Sequence, residues 1–161
     1  MVSFLLLLYK MEILLKPVAW VKNSRNNPTD DNWGNIISEI VLDEEMPDAV
    51  FNHISDFSHL EIIYFFNKVK DADIFYSRRP RNNPAYPDMG IFAQRNKDRP
   101  NHLGLCTVEL IWQKGRSIGV KMLDAIDGTP VVDIKPVFRE FTIKTKNRQP
   151  DWVSELMKNY W

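Results

Sequence analysis

The chain has 161 residues, a length that favours one domain, and its 44% hydrophobic and 12% aromatic content is enough to fill a core. Its 21 Lys and Arg balance its 21 Asp and Glu, which argues against a nucleic-acid coat and against a polybasic membrane anchor. The single cysteine, Cys106, excludes a disulfide within the chain and favours a reducing cytoplasm.

The first ten residues, MVSFLLLLYK, contain an apolar run that is too short for a signal peptide or a membrane span. Met11 offers an alternative start. We therefore expect residues 1–10 to be an N-terminal extension and residues 11–161 to form the domain, with no membrane partner.

Most of the predicted elements along the domain are short strands. They are expected over residues 14–21 (one strand, or two short ones around Pro17), 36–42, 59–66, 90–93, 106–112, 118–122 and 131–134. A short helix is predicted over residues 47–54, and the turn sequence QKGRS pairs the fifth and sixth strands. The fold class is therefore mainly β, a single barrel with short flanking helices.

The C-terminal sequence QPDWVSELMKNYW predicts a helix that closes the chain. Asp151 is its expected N-cap, and Trp152, Leu156 and Tyr160 share one face that favours packing. Within the strands, Cys106 is expected to be a small buried residue and His59 a satisfied core residue.

Charge is concentrated in residues 77–99, which carry six cations and two acids. The cations are Arg78, Arg79, Arg81, Arg95, Lys97 and Arg99. This local excess fits either a solvated pair of loops or a surface that grips an anion or a nucleic-acid backbone.

Little in the sequence suggests metal or nucleophilic chemistry, because the three histidines are scattered and no Cys/His spacing or nucleophile elbow is present. We expect no metal. Two polar clusters remain, residues 90–105 and residues 123–136. In the second, the turn around Asp127 is either a plain turn or a holder for a small polar cofactor, since its carboxylates and exposed amides suit both.

The two clusters, GIFAQRNKDRPNHLGL and LDAIDGTPVVDIKP, occur together with DDNWG, DFSHLEIIYFF and the final QPDWVSELMKNYW. In this order they resemble the TsaA-like family, also called YaeB or TrmO, over residues 11–161. The resemblance implies a homodimeric β-barrel methyltransferase that uses S-adenosylmethionine, bound near the subunit interface. Its implied substrate is the exocyclic N6 of threonylcarbamoyl-adenosine beside the tRNA anticodon.

The resemblance also implies roles for individual residues. Cofactor contacts are expected from Asp31, Asn32, Trp33, Phe66, Asn67, Arg95, Leu105, Asp124, Ala125, Ile126, Asp127 and Gly128. Trp33 or Phe66 would lie near the positive sulfur, and Leu105 would act through its backbone. RNA or substrate contacts are expected from Arg78, Arg79, Arg81 and Arg99.

The catalytic candidates are Asn101, Asp133 and Lys135. Asp133 and Lys135 lie two apart on one strand face, so they are equally well explained as a structural pair. Two other functions stay open, a barrel that binds RNA or a ligand without catalysis, and a methyltransferase that acts on a small molecule.

Overall fold

The computed structural model describes residues 12–161 of the chain, so the predicted extension over residues 1–10 lies outside the described residues. Eight strands are β1 (Ala19–Lys22), β2 (Ile37–Leu42), β3 (His59–Phe65), β4 (Ser77–Arg78), β5 (Met89–Gly90), β6 (Leu103–Lys114), β7 (Ser117–Lys121) and β8 (Pro130–Pro136). The α-helix is α1 (Asp151–Leu156). Short 3₁₀ turns cover Asp48–Phe51, Ile54–Asp56, Asp71–Asp73, Pro80–Asn82, Ile91–Ala93, Pro100–His102 and Arg139–Phe141.

Six of the strands close into an antiparallel barrel in the order β1-β2-β7-β6-β3-β8, which confirms the predicted mainly β barrel with short helices. The remaining two strands, β4 and β5, form a small separate ribbon. Closure pairs the edges of the sheet, so the backbone groups of the barrel strands satisfy one another.

Side chains of β3 point alternately into the core and out of the barrel. Leu60, Ile62 and Tyr64 are at most 1% exposed and belong to the buried cluster. Ile63, between the buried positions, pairs with Leu105 of β6 on one side and with Asp133 of β8 on the other. These three residues therefore form a row on the outer face of the barrel.

The hairpin of β6 and β7 confirms the predicted antiparallel pair around QKGRS. Gly115 opens the turn with a φ of 54°, a conformation that glycine adopts without strain. The strand β6 is longer than predicted because it begins at Leu103, directly after the polar loop.

Two predicted strands are corrected. Residues 90–93 are not a strand, since Gly90 pairs with Ser77 and Ile91–Ala93 then turns to bury Ile91. The strand predicted over residues 14–21 begins only at Ala19, after Pro17, whose nitrogen cannot donate to a ladder.

Two smaller expectations are also corrected. His59 is exposed, because it occupies an outward position of β3, and its Nδ1 lies 2.8 Å from the Ser58 hydroxyl. The buried histidine is His102. The N-cap of α1 is Pro150, and Asp151 is the first helical residue. No helix of the described residues has the length and apolar character that crossing a membrane requires.

Candidate functional site

A carboxylate held between two phenols lies where three distant parts of the chain meet. The Tyr64 hydroxyl donates to Oδ1 of Asp124 at 2.5 Å, and the Tyr160 hydroxyl donates to Oδ2 at 2.7 Å. Tyr64 projects inward from β3, Asp124 lies between β7 and β8, and Tyr160 follows α1. We call these three residues the Asp124 junction.

The two phenols of the junction stay protonated because they are buried. Burial raises the pKa of Tyr64 and of Tyr160 well above the ordinary range of a phenol, and the negative charge of Asp124 raises both further. Both tyrosines are therefore hydrogen-bond donors at neutral pH, and the carboxylate accepts from both. The two bonds fix its orientation.

Cys106 lies beside the junction and is chemically quiet. Burial, with the charge of Asp124, raises the pKa of its thiol, and Sγ donates to the Met122 carbonyl at 3.0 Å. A protonated buried thiol is a poor nucleophile, so the expectation of a small buried residue at position 106 is confirmed.

Close packing holds the Tyr64 ring. A Cβ built on Gly104 would lie 2.4 Å from two ring carbons of Tyr64, closer than any side chain allows. Because Gly104 of β6 has no side chain, the Tyr64 ring can lie against its backbone and reach Asp124.

The residues after α1 connect the junction to a second predicted cofactor segment, residues 31–33. The amide of Asn32 donates to the Asn159 carbonyl at 2.8 Å, and the amide of Trp33 donates to the Tyr160 carbonyl at 2.7 Å. Tyr160 thus contacts Trp33 through its backbone and Asp124 through its side chain. Trp33 itself is 3% exposed.

Arg25 holds the same segment from the other side. Its guanidinium lies 4.2 Å from the centre of the Trp33 ring and donates to the carbonyls of Asp31 and Asn32 at 2.8 and 2.9 Å. The bound guanidinium occupies one face of the Trp33 ring, which limits the access of a second cation to that ring.

The segment from Asp124 to Gly128 is anchored mainly by Asn23. The Asn23 side chain donates to the Ala125 carbonyl at 2.8 Å, and the backbone amide of Asn23 donates to Oδ1 of Asp127 at 3.1 Å. Within the described residues, the backbone amides of Ala125 and Ile126 enter no hydrogen bond to another backbone group. The segment is thus fixed, and two of its amides have no backbone acceptor, although Ala125 and Ile126 are buried.

Phe66 and Asn67 join the same place. The Phe66 ring meets the Tyr64 ring edge-on with 5.3 Å between centroids, and the Asn67 amide donates to the Gly128 carbonyl at 3.3 Å. Three of the predicted cofactor segments, residues 31–33, 66–67 and 124–128, therefore meet around the junction.

Arg95 and Leu105, the remaining predicted cofactor residues, contact one another. The Arg95 guanidinium donates to the Leu105 carbonyl. Its charge acts on Cys106 and Tyr160 in the direction that lowers the pKa of each, against the larger effect of burial. The two predicted polar clusters thus come together at the end of the barrel that carries the Asp124 junction.

The arginines predicted to bind RNA are all engaged within the chain. Arg78 donates to Asp98 at 3.0 Å and lies 3.7 Å from the centre of the Phe75 ring. Arg79 donates to backbone carbonyls of residues 84 and 86, and Arg99 to that of residue 94. A phosphate would have to share these cations with their present acceptors, and their role in RNA binding stays a prediction.

Arg81, the fourth of these arginines, contacts the site. Its guanidinium donates to both carboxylate oxygens of Asp31, at 3.1 and 2.7 Å, and approaches Asp30 at 3.5 Å. The residue predicted for RNA therefore holds a residue predicted for the cofactor.

Within residues 12–161, none of the catalytic candidates is hydrogen-bonded to the Asp124 junction. Oδ2 of Asp133 lies 2.6 Å from the Lys135 ammonium, and this hydrogen bond raises the pKa of Lys135. Asp133 is two strands from Leu105 in the outer row, about 10 Å at the usual spacing of strands. Asn101 is exposed in a left-handed conformation, with a φ of 63°.

The sequence prediction missed the roles of Tyr64 and Tyr160. Tyr64 was part of an apolar strand, and Tyr160 was assigned to the packing face of a helix. The available signal was a phenol at an inward strand position, because a buried hydroxyl requires a partner. Among residues 12–161, no cluster of His, Cys, Asp and Glu has the arrangement of a metal site.

A shallow surface hollow of about 290 Å³, bordered by residues 55–58 and 110–113, includes none of the predicted site residues. It lies beside the start of β3. This hollow is therefore separate from the Asp124 junction, which is defined by its hydrogen bonds.

Comparison with known families gives one match that covers most of the chain. The family described as tRNA-methyltransferase O N-terminal domain matches residues 19–142. An S-adenosyl-L-methionine-binding protein of Archaeoglobus fulgidus is 30% identical over 76% of this chain and 88% of that protein.

Other similar proteins are longer than this chain. The tRNA (adenine(37)-N6)-methyltransferase of Escherichia coli K12 is 41% identical over 50% of this chain and 36% of that enzyme. The crystal structure of TrmO from Pseudomonas aeruginosa superposes with a TM-score of 0.67 at 19% identity, over 88% of this chain and 64% of that one. The structural likeness confirms the fold.

Proposed function

The chain belongs to the family of tRNA-methyltransferase O N-terminal domains, and on that premise we propose that it is an S-adenosylmethionine-dependent tRNA methyltransferase. Its proposed acceptor is the exocyclic N6 of threonylcarbamoyl-adenosine beside the anticodon. The matched relatives support both parts, since one is named for binding S-adenosylmethionine and another for methylating adenine 37 of tRNA.

One observation carries the proposal, the meeting of residues 31–33, 66–67 and 124–128 at the Asp124 junction. Segments far apart in sequence are tied by the Tyr160 and Asn67 hydrogen bonds. A binding site built from several segments requires such ties, because each segment alone has no fixed position.

The chemistry of these residues fits S-adenosylmethionine. Asp127 and Asp124 supply negative charge toward a cationic ligand, and Phe66 supplies an aromatic ring. The amides of Ala125 and Ile126 are donors suited to an adenine edge or a carboxylate. Arg95 is exposed and positioned to meet an anionic group.

Bound S-adenosylmethionine supplies a methyl group that its positive sulfur activates for displacement. The protein has to hold the cofactor and the acceptor base, orient them towards each other and exclude water. Correct alignment alone accounts for about 7–11 kcal/mol of a barrier. Because the exocyclic amine of adenine is a weak nucleophile, a group that accepts one of its protons assists the reaction. Asp133 Oδ2, held by Lys135, is our candidate for that acceptor, and Asn101 for orienting the base.

The catalytic assignment of the Asp133–Lys135 pair is tested by kinetics. Asp133→Asn should lower kcat by roughly 100-fold or more while the affinity for S-adenosylmethionine and the unfolding midpoint stay unchanged. Loss of stability with unchanged kcat in the folded fraction would instead assign the pair a structural role.

We also propose that the protein is a cytoplasmic homodimer. Leu105, Ile111 and Trp112 of β6 are 44%, 43% and 38% exposed, and exposed apolar side chains on one strand favour contact with a second copy. The single buried Cys106 suits a reducing compartment. Sedimentation equilibrium tests the dimer, which a monomer at micromolar concentration would overturn.

The decisive experiment supplies S-adenosylmethionine and tRNA that contains unmethylated threonylcarbamoyl-adenosine, then measures the nucleosides by mass spectrometry. The wild type should add one methyl mass to that nucleoside. Tyr160→Phe should do so more slowly, because Asp124 loses one of its two donors. Methyl transfer to another nucleoside would correct the acceptor, and no transfer would overturn the proposed reaction.

A second function has one observation in its favour. The relative of which this chain covers 88% is named for binding S-adenosylmethionine, without a named reaction. A barrel that binds the ligand without transfer would give calorimetric heat with S-adenosylmethionine and no methylated nucleoside. Transfer to a small molecule would consume S-adenosylmethionine while the tRNA stays unchanged.

A further inference from the structure

The segment that joins β8 to α1 is rich in cations. We call residues 138–149 the basic strap. It contains Arg139, Lys144, Lys146 and Arg148 but a single acid, Glu140. In a chain with no net charge, this is a second local excess of positive charge, besides that of residues 77–99.

The cations of the strap are not neutralised by the chain. Among the described residues, none of the four lies within salt-bridge distance of a carboxylate. The one internal bond of these side chains is from the Lys144 ammonium to the Arg139 carbonyl, at 2.6 Å. All four residues are exposed.

Apolar side chains alternate with these cations and are equally exposed. Phe141 is 87% exposed and Ile143 is 72% exposed. Phe138 stacks on Phe57 with 5.6 Å between centroids and lies 6.1 Å from Phe141. Phe138, Phe141 and Ile143 thus form a group of exposed apolar side chains within six residues, and such groups mark interaction sites more often than single exposed residues do.

The strap is attached at both of its ends to elements that are packed in the fold. It begins past Pro136, at the end of β8 opposite the segment of residues 124–128, and it returns to α1. There Trp152 packs 5.7 Å from Tyr86, and Tyr160 reaches Asp124. The strap therefore connects the far end of β8 to the C-terminal residues that reach the junction.

We propose that the basic strap binds single-stranded RNA, with its cations on the phosphates and Phe141 stacked on a base. Cations interleaved with exposed aromatic side chains are the pattern by which proteins hold single strands. An anticodon loop presents such a strand with unstacked bases. The identity of the RNA as the methyl acceptor rests on the proposed function, whereas the binding surface does not.

The test compares two variants that remove the same charge from exposed positions. Lys146→Ala with Arg148→Ala should weaken tRNA binding roughly tenfold and flatten the salt dependence of log affinity by about 1.4 to 1.8. Lys22→Ala with Lys114→Ala is the matched control, since both lysines are exposed on barrel strands. It should leave affinity and slope unchanged.

Stacking is tested separately with Phe141. Phe141→Ala should weaken tRNA binding by roughly fivefold to 100-fold, and Phe141→Trp should retain it, because both aromatic rings stack on a base. Equal losses in Phe141→Ala and Phe141→Trp would exclude stacking.

Three results would overturn the inference. Equal salt slopes for the strap variant and its control would exclude phosphate contacts. Dissociation of a dimer by the strap variant would assign the segment to a second copy of the chain. Loss of affinity that follows a lower unfolding midpoint would assign it to stability.

Calorimetry with S-adenosylmethionine separates this inference from the proposed function. Both variants should bind the ligand as the wild type does. A wild type that binds tRNA through the strap but does not bind S-adenosylmethionine would overturn methyl transfer and leave the RNA surface supported.

Discussion

Two stretches of the chain carry an excess of cations, and they use it in opposite ways. In residues 77–99, Arg78 is bound to Asp98 and Arg81 to Asp31. In the basic strap, Arg139 and Arg148 have no carboxylate within reach among the described residues. The first region uses its charge to hold the chain together, and the second presents it to solvent.

The difference depends on acids that are distant in sequence. Asp31 is 50 residues from Arg81, and Asp98 is 20 residues from Arg78. A count of charge within a window therefore indicates where cations occur but not which of them are available to a ligand. Availability is decided by the fold, which brings the carboxylates to one region and not to the other.

The largest expected effect is a loss of unfolding free energy when an ion pair of residues 77–99 is removed. Asp98 is 6% exposed and binds both Arg78 and Lys97. Asp98→Ala removes two charge-assisted hydrogen bonds from cations that stay partly exposed, and it should lower the free energy of unfolding by about 1.5 kcal/mol, measured by urea denaturation. Arg139→Ala in the strap should change it by less than about 0.5 kcal/mol. Similar values for the two variants would break the comparison.

Trypsin should distinguish the two regions in the native protein. The strap has exposed lysines and arginines in a segment with few backbone hydrogen bonds, so cleavage should begin at Lys144, Lys146 or Arg148. Cleavage after Arg81, which is tied to Asp31, should be roughly tenfold slower or more. Mass spectrometry of the first fragments checks the order, and first cuts after Arg81 would contradict it.

A smaller effect is expected on ligand affinity. Arg81→Ala releases Asp31 and loosens residues 31–33, so the affinity for S-adenosylmethionine should fall about fivefold, the size of a partly exposed ion pair. Arg139→Ala removes the same charge from the strap and should leave that affinity unchanged. Calorimetry on both variants decides, and an unchanged affinity in Arg81→Ala would separate Asp31 from the ligand site.

The last prediction concerns the pH dependence of the free energy of unfolding, which is small near neutral pH and depends on buried polar groups. Tyr64, Tyr160 and Cys106 have raised pKa values in the folded chain. The unfolded chain releases these protons first, above about pH 8.5 for the thiol and about pH 10 for the phenols. The folded chain keeps them, so the part of the stability that depends on these three groups should be constant from neutral pH to about pH 8 and fall as the pH rises further.

Urea midpoints at pH 7, 9 and 10.5 check this dependence. Tyr160→Phe should flatten the decline because it removes one of the titrating groups. A midpoint that stays constant to pH 10.5 would show that these groups are not buried in solution as described.

The sequence predicted the parts of the fold that local patterns determine. The run of residues 59–66 and the turn at Gly115 gave strands and a hairpin that match β3, β6 and β7. The strand predicted over residues 90–93 is wrong because a 3₁₀ turn buries Ile91 there. Four residues are also too few to distinguish the alternation of a strand from the repeat of a helix. Barrel closure is set by register across strands, which no local pattern contains.

The site was predicted by resemblance more than by local pattern. The segments around Trp33, Asn67 and Asp124 were named from motifs, and the structure brings them together. Tyr160 was missed, because a contact over 36 residues, made after a short helix, depends on the path of the whole basic strap. The sequence also predicts no role for the basic strap, because whether its cations meet carboxylates depends on the fold.

The most direct test of the account is calorimetric titration of S-adenosylmethionine into the wild type and into Tyr160→Phe at neutral pH. Because the Tyr160 hydroxyl is one of two donors to Asp124, we predict saturable binding by the wild type and roughly tenfold weaker binding by the variant, at an unfolding midpoint that still leaves it folded. No heat from the wild type, or equal affinities in the two proteins, would contradict the claim that the Asp124 junction forms the ligand site.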